Sequence, residues 1–155
     1  VNSEQINKLF TFDIDNANIN LLKNKNCPQD KIVEFLNKND KIYNITIAHN
    51  ISLDESIFKT LYSLDDFDVD ITLSCNEKTP QNILKELYSK NKHEINIALS
   101  ENTNTPINIL MQLQINSAYN TNVANNETYK EFSRNSLGII QNDSNRFKRS
   151  TYTVN

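Results

Sequence analysis

Four carboxylates within six residues, Asp65, Asp66, Asp68 and Asp70, form the densest group in this chain that could do chemistry. Asp66, Asp68, Asp70, Thr72, Leu73 and Glu77 fall where a calcium-binding EF-hand loop places its ligands and its aliphatic anchor. The sixth position of such a loop turns sharply and takes glycine; here it is Ile71, so calcium is not expected. Paired carboxylates can also act as general acid and base, but a run of like charges is ordinarily a solvated face. His49 and His93 are the only imidazoles, and with Cys27 and Cys75 they do not have zinc-ligand spacing. A nucleophile elbow and a phosphate-cradling loop both need glycines, and the chain has one, Gly138. These residues predict no catalytic centre, no metal and no cofactor.

The elements that carry the acids recur. Tyr43 to Asn50, Val69 to Asn76 and Ile95 to Asn102 coincide in a common 26-residue register, the mark of stacked supersecondary units. Ile6, Ile32, Phe58, Leu84 and Leu110 share the register, as do Leu9, Phe35, Leu61, Leu87 and Leu113. So do Ile19, Ile45, Ile71 and Ile97, and Leu21, Ile47, Leu73 and Leu99. An asparagine series, Asn24, Asn50, Asn76 and Asn102, completes the set. A fifth copy follows with two residues deleted, aligning Tyr119 to Asn126 with Ile95 to Asn102. The expected organisation is an array over 1–126, with copies near 1–26, 27–52, 53–78, 79–104 and 105–126. Residues 127–155 read as a C-terminal cap and flexible tail. Val1 falls at a repeat boundary, so the array is compatible with being one piece of a longer chain or assembly.

Within a copy the first half predicts a helix, because Ile83, Leu84, Leu87 and Tyr88 gather on one face at 3.6 residues per turn. Thr79-Pro80 and Thr105-Pro106 read as helix starts, the hydroxyl accepting from free N–H groups and proline filling the first turn. The second half alternates apolar residues as a strand would. Small residues at Ala48, Ser74 and Ser100 favour a short, closely packed helix instead. The asparagine that follows is expected to close the turn in the left-handed conformation, in place of glycine.

Ile95-Asn96-Ile97-Ala98-Leu99-Ser100-Glu101-Asn102-Thr103-Asn104-Thr105-Pro106, continued by Ile109, Leu110 and Leu113, resembles the signature of the leucine-rich repeat variant family. The likeness spans about residues 1–126. It implies an all-α, right-handed α-solenoid, related to HEAT and armadillo arrays, in which an α-helix alternates with a short 3₁₀ segment. The family's Arg position holds Asn18, Asn44, Asp70, Asn96 and Asn120, so a surface built on that Arg row is not expected. The iron–sulfur cysteines that can precede such repeats are absent from this sequence as well.

Composition sets the remaining bounds. Asparagine makes up roughly one residue in six, for which AT-rich coding is an ordinary reason, so the Asn-x-Ser/Thr triplets at Asn44, Asn126 and Asn142 carry little weight as glycosylation sites. Formal charge is -3, which disfavours a nucleic-acid groove. No apolar run approaches membrane-spanning length, no signal peptide is evident, and free thiols in a reducing, cytoplasmic setting are the default; an upstream targeting segment stays compatible with the sequence. The expected function is a non-catalytic protein–protein interaction scaffold or structural component. Its solvent face would engage a polypeptide of basic character through Asp65, Asp66, Asp68 and Asp70, anchored by Tyr62 and Tyr88. Two alternatives are a helical-repeat nucleic-acid binding or repair protein, and an inhibitor or immunity-type protein that binds a basic partner.

Overall fold

The computed structural model describes residues 2–136, and the protein is all-helical, with no strand among them. Ten helices follow one another in pairs: α1 (Ser3–Phe10) with α2 (Asp15–Leu22), α3 (Gln29–Leu36) with α4 (Lys41–Ala48), α5 (Glu55–Ser63) with α6 (Phe67–Cys75), α7 (Gln81–Ser89) with α8 (His93–Glu101), and α9 (Ile107–Ile115) with α10 (Asn120–Asn125). A further helical stretch covers 127–136, where the sequence predicts a cap; the rest of the expected tail lies outside the described residues. The second segment of each full-length copy is therefore a regular α-helix and not the 3₁₀ segment that the family resemblance implies.

Each pair packs on itself, and the second helices also pack on one another in series, α2 on α4, α4 on α6, α6 on α8 and α8 on α10. One continuous core runs through all five pairs. Ile6, Ile32, Phe58, Leu84 and Leu110 are all fully enclosed, as are Ile47, Leu73 and Leu99. Ile45, Ile71 and Ile97 share one environment too, half-buried against that core. Equivalent positions thus have equivalent surroundings, which is how thin units that cannot bury an apolar face alone become stable together.

The turn chemistry differs from the sequence expectation in two places. Thr79 and Thr105 do not cap the helices that follow them. Each is buried, and its hydroxyl donates backwards, Thr79 Oγ1 to the Leu73 carbonyl and Thr105 Oγ1 to the Leu99 carbonyl, both at 2.7 Å. Pro80 and Pro106 occupy the cap positions themselves in extended backbone. The left-handed residues are also not the predicted asparagines: Asn76 and Asn102 have φ of -78° and -71°. Positive φ falls on Asp13, Asn39, Asp65 and Asn91, equivalent positions of the first four copies, in the turn joining the two helices of a pair. Asp and Asn tolerate that region better than other residues with a Cβ. The fifth copy lacks such a residue because its two-residue deletion shortens that turn.

Candidate functional site

Asn50, Asn76, Asn102 and Asn126 are buried and tie each pair to the one before it. Asn76 Nδ2 donates to the carbonyls of Ala48 (2.8 Å) and Asn50 (2.9 Å), while its Oδ1 accepts from the Lys78 N–H at 2.9 Å. Asn102 does the same with Ser74, Asn76 and Asn104, and Asn50 with Leu22, Asn24 and Ser52. Asn126 closes the series on Ser100, Asn102 and Thr128. Each amide therefore reaches a carbonyl at the end of the previous second helix, that of Leu22, Ala48, Ser74 or Ser100, a group that every buried helix terminus must satisfy. Its second acceptor, the carbonyl of the preceding ladder asparagine, also takes a backbone N–H at Asn24, Asn76 and Asn102. Leu22, Ala48, Ser74 and Ser100, whose carbonyls accept these bonds, are themselves buried, and the contact at Leu22, at 2.7 Å, shows that a small side chain is not required for it.

The four predicted acids lie in the α5–α6 turn, Asp65 and Asp66, and in the first turn of α6, Asp68 and Asp70, but two of them have structural duties. Asp66 caps α6, accepting from the N–H groups of Asp68 (2.9 Å) and Val69 (3.2 Å). Burial would raise its carboxyl; those N–H groups and Lys41 outweigh that and hold it below the usual range. Asp70 is buried, at 3% relative exposure, and pairs with Lys90 Nζ at 2.6 Å. Burial pushes its carboxyl up, with Lys90 pulling it back. Asp65 is exposed and meets the same ammonium at 2.7 Å, which holds its carboxyl low. Asp68 is exposed and pairs with Lys41 at 2.7 Å. Lys90 also sits 4.9 Å from the centre of the Tyr62 ring. The cluster is a clasp: Lys41 comes from the pair before and Lys90 from the pair after, so the acids of α5–α6 are held from both sides. The sequence reading does not find these lysines, whose partners belong to a neighbouring pair and lie far from them along the chain.

Asp66 to Asn76 is a capped helix, not an ion-binding loop, and among the described residues no three His, Cys, Asp or Glu side chains gather as metal ligands would. Tyr62 and Tyr88 are both half-buried against the core, at its edge. His49 and His93 are exposed; His93 Nδ1 lies 3.1 Å from Tyr119 Oη. Cys27 is buried and Cys75 exposed, both as free thiols; burial pushes the Cys27 thiol up to about 12 and raises that of Cys75. Such thiols are poor nucleophiles at neutral pH.

Among the surfaces open to solvent is a strip along the first turns of the second helices. Lys41 and Ile42, Phe67 and Asp68, and His93 and Glu94 occupy equivalent positions on α4, α6 and α8, and all six are exposed. Ile42 at 61% and Phe67 at 43% put apolar surface among the charges. No protein-family model, curated protein or solved structure matches the chain. Among the described residues no helix is long and apolar enough to cross a membrane.

Proposed function

We propose that the chain is a right-handed α-solenoid of about five 26-residue units, the fifth two residues shorter, of the leucine-rich repeat variant kind, that acts as a non-catalytic scaffold presenting the strip on α4, α6 and α8 to a polypeptide. The observation that carries this reading is the repetition of the strip. Stacked second helices lie roughly 8–10 Å apart, so Ile42, Phe67 with Asp68, and Glu94 offer apolar and acidic contacts at regular intervals along one edge. An extended polypeptide advances about 3 Å per residue, and three of its residues match one interval. Its preferred chemistry is basic with apolar anchors. Tyr62 and Tyr88 are the proposed anchors at the core's edge. Asp65 and Asp68 are the exposed acids, and a basic segment would displace Lys90 and Lys41 from them, whereas Asp66 and Asp70 serve the fold.

The experiment is affinity capture by the immobilised chain, with bound polypeptides measured for the wild type, for Ile42→Ser with Phe67→Ser, and for Asp65→Asn with Asp68→Asn. All four positions are exposed, so the fold should survive. Capture that falls in both double variants supports the strip; capture unchanged in both rejects it.

A further inference from the structure

The surface of the first helix pair that faces away from α3 and α4 is built like an internal contact, yet none of the described residues covers it. Leu9 is 42% exposed, whereas its equivalents Phe35, Leu61, Leu87 and Leu113 are 3%, 0%, 0% and 2% exposed. The structure shows what covers that position elsewhere: Phe35 lies against Phe10 of the preceding pair, ring centres 5.2 Å apart. Two further positions tell the same story. Phe12, 69% exposed, is the equivalent of Leu64, which packs against the core, and of Lys90, which reaches back onto Asp65, Asp70 and Tyr62 of the pair before it; the third equivalent, Lys38, lies over Phe35 and Tyr43 of its own pair. Ile14, 58% exposed, is the equivalent of Asp66, which pairs back onto Lys41, whereas the other equivalents, Asp40 and Lys92, are exposed.

A polar observation agrees with the apolar ones. Asn24 makes the same local turn as the other ladder asparagines, its Oδ1 accepting from the Asn26 N–H at 2.9 Å. Its Nδ2, unlike those of Asn50, Asn76, Asn102 and Asn126, has no partner among the described residues. An array end that is finished presents a polar outer face. This face presents Leu9, Phe12, Ile14 and an unused pair of amide hydrogens.

We infer that this face is a docking surface for one more helical unit of the same repeat, stacked in the register that joins the existing pairs. The occupant is specified by continuity with the internal interfaces. It needs an apolar residue at the position of Phe10 or Leu36 to cover Leu9. It also needs a second helix ending in two carbonyls placed as those of Ala48 and Asn50 are for Asn76. The inference rests on the solenoid reading above and adds a binding surface to it.

The test extends the full chain with a duplicate of its own residues 27–52, joined so that residue 52 of the duplicate is followed by Val1. Urea midpoints are read for the chain with and without the extension, each carrying Asn24→Ala or Asn76→Ala. Docking predicts a higher midpoint and added helical signal for the extended chain. It also predicts that Asn24→Ala, which shifts the midpoint of the original chain much less than Asn76→Ala, shifts that of the extended chain as far. A duplicate that adds no helical signal, or an Asn24→Ala shift unchanged by the extension, overturns the inference. So does a dimer of the unextended chain, measured by light scattering, that Phe12→Asp abolishes, because the occupant is then a second copy. If Asn76→Ala is itself without effect in the original chain, it is the solenoid reading that fails.

Discussion

Lys90 Nζ lies 2.6 Å from Asp70 Oδ2, an ion pair between consecutive helix pairs at the one ladder position where the other buried members, Asn18, Asn44 and Asn96, are neutral amides. Burial alone would lower the ammonium of Lys90; Asp65 and Asp70 outweigh it and hold that ammonium above its usual value. Asp70 Oδ1 has no hydrogen-bond partner among the described residues, and neither do the equivalent oxygens of Asn18, Asn44 and Asn96. The third pair has thus exchanged an amide for a carboxylate that depends on its neighbour's lysine.

Removing that lysine should cost more than removing the carboxylate. Lys90→Met leaves a buried, unpaired charge and should lower stability by about 2 to 3 kcal/mol at neutral pH, at or below the bottom of the usual range of about 3 to 5 because Lys90 is partly exposed. Asp70→Asn restores the ladder's ordinary residue and should cost under about 1 kcal/mol. Urea denaturation of both variants checks the order.

The same pair sets a pH dependence. The folded carboxyl of Asp70 lies above its unfolded value, so the native state binds more protons in that window and the contribution of Asp70 falls as pH rises through it. Lys90→Met pushes the carboxyl higher still. Its cost should therefore be larger at neutral pH than at about pH 3, where Asp70 is protonated in both states. Denaturation at the two pH values measures the difference; equal costs would assign the effect to lost packing.

Thr79 provides a test of the turn chemistry. Thr79→Val keeps the shape but leaves the buried Leu73 carbonyl without the hydroxyl, and should cost about 1 to 2 kcal/mol. A helix-capping role would instead predict rescue by Ser or Asp at this position. Thermal melts of Thr79→Val, Thr79→Ser and Thr79→Asp separate the two, with only Ser expected to approach wild type.

At Asn91, φ is 49°, and Asn91→Ala should cost about 1 kcal/mol while Asn91→Gly is neutral or stabilising. The two variants, compared by chemical denaturation, distinguish a backbone requirement from a side-chain one.

The period and the apolar spine were legible because equivalent positions keep their apolar character in one register; the second half alternates as a strand would, and only its small residues, Ala48, Ser74 and Ser100, favoured the helix. The roles of the polar residues were much less so. The ladder asparagines read as turn-formers, since nothing in a sequence shows that an amide's partners are backbone carbonyls of the preceding copy. The true left-handed series, Asp13, Asn39, Asp65 and Asn91, has the same period, but it is hidden in a chain so rich in asparagine. The acidic run read as an open patch because Lys41 and Lys90 meet it only after stacking.

The asparagine ladder gives the most direct test of whether the helix pairs form one stacked array. Asn24 and Asn76 make the same local turn, but only Asn76 donates to the preceding pair, so the difference between the two alanine variants isolates the contact between pairs. With two buried hydrogen bonds at about 1 kcal/mol each, Asn76→Ala should lower the unfolding free energy in urea by about 2 kcal/mol more than Asn24→Ala. Equal losses in the two variants would contradict the stacked array.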